Sequence, residues 1–209
     1  MPSSLPLCRL SGGLRRARPG SKAVAPGDVV SVIIPTYNER ENLPFLVAML
    51  FDELGGMGQA GEVVVVDDGS PDGTADVARQ LQTAYGRDKV VLRERSGKLG
   101  LGTAYLEGVG AATGPWVVLM DGDMSHDPRY LRTLIDAQRE AGADVVTGTR
   151  YRDGGGVAGW SVKRKLISNG ANVLAKNILL PGLSDLTGSY RLYRRSALEN
   201  VLSQVSQAK

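Results

Sequence analysis

Short runs of β-branched residues alternate with helical patterns of apolar positions from Val29 onward. The predicted strands are Val29–Pro35, Val63–Asp67, Val90–Arg93, Trp116–Met120 and Asp144–Gly148. The predicted helices are Arg40–Leu54, Thr74–Tyr85, Gly102–Ala112, Arg129–Ala141, Lys163–Leu180 and Ser196–Val205. This alternation favours an α/β fold with a mostly parallel sheet flanked by helices. The second strand is continuously apolar, as strands buried on both faces are.

Charge divides the chain into two parts. Residues 1–27 carry five basic residues and no acidic one, so the remaining 20 basic and 22 acidic residues give the rest of the chain a net charge of −2. We therefore predict a disordered basic tail over residues 1–28, with an organellar transit peptide as the alternative. Residues 29–209 are predicted to form one domain, and its charge gives no reason to expect a nucleic-acid partner.

Some classes of site are excluded by composition. Cys8 and His126 are the only cysteine and the only histidine, which excludes disulfides within the chain and His-rich metal centres and argues against a Ser-His-Asp apparatus. We interpret His126 as a loop residue. The apolar runs are far shorter than the roughly 18 residues that span a bilayer. The chain stops directly after a helical pattern with no closing strand, so we expect its C-terminal part to be missing.

Two carboxylates follow the most apolar predicted strand. Asp121 and Asp123 are two residues apart and would project to the same side of an extended segment. With oxygens from a diphosphate, they suit Mg²⁺ or Mn²⁺. The alternative is a solvated Asp-Gly-Asp turn.

Other polar groups follow the first two predicted strands, at the rim where doubly wound sheets bind ligands. Tyr37 would stack on a base, and Glu39 or Asp68 would accept hydrogen bonds from ribose or base. We expect either Asp67 or Asp68 to cap the helix near Thr74. Asn38 and Glu41 have the spacing of a capping box at the start of the first helix. The segment Gly97–Gly102 is interpreted as a loop that leads into a helix.

A second concentration of basic residues suits a phosphate. Arg150 and Arg164 would bind its oxygens, and Ser168 lies one helical turn beyond Arg164. The apolar stripe over residues 166–178 fits either a helix at a membrane surface or an ordinary core helix with a charged end.

Taken together in this order, the motifs resemble those of the dolichol-phosphate mannosyltransferases, a family of inverting, GT-A-fold enzymes within glycosyltransferase family 2. The motifs are Pro35–Glu39, Asp67–Thr74, Leu99–Tyr105, Asp121–His126, Thr147–Tyr151, Gly159–Trp160, Lys163–Lys165 and Ser184–Arg191. The resemblance extends from about Val29 to the end of the chain.

The resemblance implies transfer of mannose from GDP-mannose to dolichyl phosphate, with Mg²⁺ or Mn²⁺. The product would serve protein glycosylation and GPI-anchor synthesis. The implied setting is peripheral, on the cytosolic face of the endoplasmic reticulum membrane, with small transmembrane partner subunits.

The resemblance also assigns roles to individual residues. The implied donor-binding residues are Pro35, Tyr37, Glu39, Val66, Asp68, Asp121, Gly122, Asp123 and Arg150. Asp121 and Asp123 would act through the metal. Arg150, Arg164 and Ser168 would contact the acceptor phosphate, and Arg150 joins the two aspartates as a catalytic residue.

Two departures and two alternatives accompany this resemblance. Gly122 stands where the family usually has alanine, which is expected to loosen the backbone, and the family's chain continues beyond the position of Lys209. The first alternative is a dolichyl-phosphate glucosyltransferase that uses UDP-glucose. The second is a truncated, non-catalytic isoform that binds nucleotide sugar or partner subunits.

Overall fold

The computed structural model describes residues 22–148 and 189–207. Its strands are β1 (Val30–Thr36), β2 (Gly61–Asp67), β3 (Val90–Glu94), β4 (Trp116–Leu119), β5 (Val145–Thr147) and β6 (Arg191–Arg194). Its helices are α1 (Leu43–Gly56), α2 (Thr74–Tyr85), α3 (Leu101–Ala111), α4 (Tyr130–Ala141) and α5 (Arg195–Gln207). The predicted helix Lys163–Leu180 lies outside the described residues.

The strands form one sheet in the order β3-β2-β1-β4-β6-β5. Strand β1 pairs in parallel with β2 and with β4, and β2 pairs in parallel with β3. Strand β6 runs antiparallel between β4 and β5. The predicted α/β class and mostly parallel sheet are confirmed, whereas β6 was missed.

Helices cover both faces of this sheet because successive strand residues point to opposite sides. Val32 and Ile34 belong to the apolar cluster beneath α1 and α4, whereas Ile33 packs with residues of α3 and α5. A side-chain carbon at Gly108 of α3 would overlap Ile33, so glycine permits the close approach of this helix to β1. Two-sided burial explains the continuously apolar strands.

The first helix begins later than its pattern predicts. Asn38 has a positive φ of 60°, and α1 starts at Leu43, whose N–H donates to the carbonyl of Glu39. The expected capping box is therefore wrong. The side chain of Asn42, next to the helix, donates instead to the carboxylate of Glu39.

Part of the predicted tail belongs to the domain. Val24 is buried in the core, and its N–H and carbonyl bond to side chains of α4, those of Gln138 and Arg139. Residues 22–28 are therefore wrongly assigned to a disordered tail, while residues 1–21 lie outside the described residues. In the described ranges, no helix is long and apolar enough to cross a membrane.

Candidate active site

The sheet has a topological switch point at β1. Strands β2 and β4 lie on opposite sides of β1, so the loops that follow β1 and β4 flank a crevice at the carboxyl ends of these strands. Doubly wound sheets bind ligands at this position. The polar segments that begin at Tyr37 and Asp121 both lie here, as the sequence predicts.

Hydrogen bonds hold the loop after β1 against the loop after β2. The N–H of Asn38 donates to Ser70 Oγ, and the N–H of Glu39 donates to Thr74 Oγ1, each at 3.0 Å. These contacts come from backbone groups, so they fix where the Tyr37–Glu39 segment lies. Glu39 is thereby directed toward the loop after β4.

The two adjacent aspartates after β2 do not cap α2. Asp67 accepts hydrogen bonds from the N–H and hydroxyl of Ser70, at 2.9 and 2.6 Å. Asp72 accepts from the N–H of Thr74 at 3.0 Å and from its hydroxyl at 2.6 Å, at the start of α2. The expected capping by Asp67 or Asp68 is therefore wrong, because a later residue of the same loop supplies the acceptor.

Asp121 and Asp123 lie in a loop, since β4 already ends at Leu119. The backbone of Met124 has φ of 60°, and the N–H of Ser125 donates to Asp123 Oδ1 at 3.0 Å, which closes a tight turn. The alternation expected of an extended strand therefore does not apply here. The two carboxylates nevertheless lie close together, because both are near His126.

Gly122 packs directly against the loop after β1. A Cβ at this position would meet Glu39 Cγ at 3.2 Å and the carbonyl oxygen of Pro35 at 3.4 Å. The glycine therefore leaves room for the Glu39 side chain, a consequence beyond the loosened backbone that the sequence suggests. Three of the predicted donor-site residues are thereby brought together, because Gly122 lies beside Pro35 and Glu39.

Asp123 is held in its ionised form. Burial opposes ionisation, but hydrogen bonds from the side chain and backbone of Ser125, with the nearby His126, outweigh it and lower the pKa of Asp123. An ionised carboxylate is the form that binds a divalent cation.

Glu39 shows the opposite shift. Burial raises its pKa, and although the hydrogen bond from Asn42 opposes the rise, the charges of Asp123 and Asp72 add to it. Carboxylates from three loops, those after β1, β2 and β4, therefore repel one another at this crevice. A bound cation would relieve that repulsion, which is typical of functional sites.

Replacing Glu39 by glutamine should make the protein more stable at pH 7. Ionised Glu39 is less favourable in the folded than in the unfolded chain, because its pKa is raised on folding. The gain should shrink as the pH falls through the raised pKa of Glu39, which lies above 4.5, and should be lost below 4.5, where the glutamate is neutral in both the folded and the unfolded chain. Urea unfolding at several pH values measures both effects.

The exposed Glu41, two residues further on, provides the matched control. Glu41→Gln should give no comparable gain at pH 7. A Glu39→Gln variant that is less stable than the native protein at pH 7 would show that the Asn42 hydrogen bond outweighs burial and repulsion.

His126 is more than the loop residue that its sequence context suggests. Its Nδ1 accepts a hydrogen bond from the N–H of Asp121 at 3.1 Å, and its ring stacks on Tyr190 with centroids 5.0 Å apart. Ser189, which precedes β6, donates from its hydroxyl to Asp121 Oδ2 at 2.7 Å. The sequence did not place Ser189 at the carboxyl-end edge of the sheet, because β6 was not predicted.

Arg95 is a further residue that the sequence analysis missed. It follows β3, and its guanidinium nitrogens Nε and Nη2 each lie 2.6 Å from Asp68 Oδ1. The other terminal nitrogen donates to Thr103 of α3 at 2.7 Å. The pairing of β2 with β3 places Asp68 beside Arg95, and opposite charges after neighbouring predicted strands were the available signal.

Tyr37 is exposed at the rim, with the ammonium nitrogen of Lys98 3.5 Å from the centre of its ring. This is a cation–π contact. Lys98 belongs to the glycine-rich segment before α3, which is a loop leading into a helix, as predicted. One face of the Tyr37 ring is thus already covered by a cation.

The remaining predicted residues divide into two groups. Val66 has no exposed surface and its side chain packs in the core with Ile33 and Ala104, and its predicted contact with the donor stays a prediction. Arg150, Arg164 and Ser168 lie outside the described residues. Their predicted contacts with a phosphate stay predictions.

The donor set fits a divalent cation shared with a ligand. In the described part of the chain, no three side chains from His, Cys, Asp and Glu form a metal-binding group. Asp121 and Asp123 offer hard carboxylate oxygens, of which Asp121 Oδ2 is engaged by Ser189. Two protein carboxylates with further oxygens from a substrate are a usual arrangement for Mg²⁺.

Solved structures show the same fold at low sequence identity. Mannosyl-3-phosphoglycerate synthase from Rubrobacter xylanophilus superposes with a TM-score of 0.63 at 18% identity, covering 81% of this chain and 54% of that one. A mannosyltransferase from Pyrobaculum calidifontis, determined in complex with GDP-Man and Mn²⁺, gives a TM-score of 0.53 at 23% identity over 92% of this chain and 50% of that one. The fold is that of the GT-A glycosyltransferases.

The family follows from the sequence comparisons. The model of the family described as glycosyl transferase family 2 matches residues 31–202. Polyprenol monophosphomannose synthase of Mycolicibacterium smegmatis is 44% identical over 85% of this chain, and dolichol-phosphate mannosyltransferase of Pyrococcus furiosus is 41% identical over 82%. The chain belongs to glycosyl transferase family 2. It spans 66% and 48% of the lengths of these two relatives.

Proposed function

We propose that this chain transfers mannose from GDP-mannose to dolichyl phosphate with inversion at the anomeric carbon, in the presence of Mg²⁺ or Mn²⁺. The observation that carries the proposal is that two relatives, both above 40% identity, are named for mannosyl transfer to a polyprenyl phosphate. The carboxylate-lined crevice at the switch point supports it. A neighbour of the same fold was solved with GDP-Man and Mn²⁺.

Different residues of the crevice bind different parts of the donor. Tyr37 offers a ring for the base, and Glu39 offers acceptors for hydroxyl or base N–H groups. Asp121 and Asp123 would hold the divalent cation together with the donor diphosphate. A cation bound there supplies the Lewis acidity that neutralises the leaving diphosphate.

The acceptor needs little activation by the protein. A phosphate monoester has its second pKa near 6, so the acceptor already carries a nucleophilic oxygen at neutral pH. No strong general base is required, which agrees with His126, whose Nδ1 is engaged by the N–H of Asp121. We assign orientation of the acceptor phosphate to Arg150, Arg164 and Ser168.

The proposal extends to the cellular setting on the strength of the family resemblance. The chain would act on the cytosolic face of the endoplasmic reticulum membrane as a peripheral protein with small transmembrane partner subunits. Its lipid-linked product would serve protein glycosylation and GPI-anchor synthesis.

A transfer assay with two donors tests the proposal. The protein is incubated with vesicles that contain dolichyl phosphate, with Mn²⁺, and with either radiolabelled GDP-mannose or radiolabelled UDP-glucose. We expect label in the lipid fraction from GDP-mannose only, and none after chelation of the metal. Label from UDP-glucose alone would overturn the sugar assignment. Donor binding without transfer would indicate a non-catalytic, nucleotide-sugar-binding protein.

A further inference from the structure

The segment before β6 reaches the proposed metal loop because of the strand order. Strand β6 is antiparallel to β4, and Arg191 is paired with Leu119. The residues that precede Arg191 therefore lie beside those that follow Leu119. This register places Ser189 opposite Asp121, and the Ser189 hydroxyl donates to Asp121 Oδ2 at 2.7 Å.

A second contact fixes the backbone of the same aspartate. His126 Nδ1 accepts a hydrogen bond from the N–H of Asp121 at 3.1 Å, while its Nε2 lies 3.6 Å from Asp121 Oδ2. The imidazole is almost parallel to the ring of Tyr190, at an interplanar angle of 13°. Tyr190 is buried, and its carbonyl accepts from the N–H of Gly148 at 3.0 Å, so it is anchored beside β5.

We infer that Ser189, His126 and Tyr190 form a positioning unit for Asp121, a role that rests on the function proposed above. Ser189 engages Oδ2 and so orients the carboxylate with Oδ1 toward the cation. His126, braced by Tyr190, holds the main chain from which that carboxylate projects. Ser189 and His126 are therefore positioning residues that act through Asp121.

The physical basis is the general behaviour of groups that hydrogen-bond to metal ligands. Such groups fix the orientation of the ligand, and their removal typically costs about 10- to 100-fold in metal affinity or activity. The hydroxyl of Ser189 donates to Oδ2, so its loss removes the short hydrogen bond that restricts rotation of the carboxylate about its last bond. Loss of the hydroxyl should weaken cation binding more than it weakens the stability of the fold.

Titration of Mn²⁺ in the presence of GDP, followed by electron paramagnetic resonance, tests the inference without turnover. Ser189→Ala should weaken Mn²⁺ binding about 10- to 100-fold. Ser189→Thr keeps the hydroxyl and should stay close to the native affinity. His126→Phe keeps an aromatic ring on Tyr190 but removes the acceptor for the Asp121 N–H, and should weaken binding roughly tenfold.

Ser196→Ala is the matched control, since this exposed serine lies beyond the other end of β6, at the start of α5. It should leave Mn²⁺ binding unchanged. Thermal melts of all variants separate loss of the site from loss of the fold.

Two results would contradict the inference in different ways. If the native protein binds Mn²⁺ with GDP and Ser189→Ala binds it equally well, Ser189 does not position Asp121 and the proposed function still stands. If the native protein binds no Mn²⁺ with GDP, the proposed metal-dependent donor site itself is overturned, and the positioning role with it.

Discussion

Replacing Asp123 by alanine should reduce mannosyl transfer by roughly three orders of magnitude, because several kcal/mol of charge stabilisation at the leaving diphosphate would be lost. The structure supports the direction of this effect. The pKa of Asp123 is lowered despite its partial burial, so its surroundings favour the charge that binds a cation. Initial rates with GDP-mannose and dolichyl phosphate at saturating Mn²⁺ measure the loss, and Mn²⁺ titration with GDP measures the accompanying loss of cation binding.

Asp136 provides the control for a lost carboxylate. It is exposed on α4, where it pairs with Arg139 at 3.5 Å, and Asp136→Ala should leave transfer unchanged. The Asp123→Ala variant should also remain folded, and the release of repulsion on Glu39 should offset part of any loss of stability. Normal turnover in Asp123→Ala would remove this residue from the metal site.

From the sequence we could predict which loops lie at the carboxyl-end edge of the sheet, but not the contacts between residues that are distant along the chain. Strand patterns located the loops after β1, β2 and β4, and parallel topology alone then placed Glu39 and Asp121 at one edge. The prediction succeeded because each of these loops follows a run of four or five apolar residues: Val32–Pro35, Val63–Val66 and Trp116–Met120. Their polar residues therefore stand out against the apolar residues that precede them.

The sequence could not predict β6 from local pattern. Its four residues, Arg191–Arg194, have basic residues at both ends, and Leu192 is the one fully buried position. What makes the segment a strand is pairing on both sides with β4 and β5, which are distant in sequence. The roles of Ser189 and Tyr190 depend on that pairing and were missed with it.

Glu62 shows the same limit for buried polar groups. It precedes the four consecutive valines of β2 and is almost fully buried, and its carboxylate accepts hydrogen bonds from the hydroxyls of Ser31 and Thr113. The partners lie 31 and 51 residues away along the chain. No local spacing identifies them, because the sheet and the turn before β4 bring them together.

The second large effect is expected at Arg95. Replacing it by methionine should destabilise the protein by about 3 to 5 kcal/mol, the usual cost of leaving one partner of a buried ion pair alone. Its side chain is 2% exposed and that of Asp68 13%, so water compensates little of the loss. For a domain of this size, the change corresponds to a fall in melting temperature of roughly 10 °C. Urea unfolding and thermal melts measure it.

Arg79 is a matched control on the same edge of the sheet. It also pairs with two carboxylates, those of Asp76 and Glu94. All three side chains are at least about half exposed, at 50%, 74% and 48%. Exposed ion pairs contribute about 0 to 1 kcal/mol, so Arg79→Met should change stability only slightly. The contrast isolates burial as the cause, because the two arginines differ mainly in their access to water. Equal effects of the two substitutions would show that Arg95 does not lock the loops after β2 and β3 together.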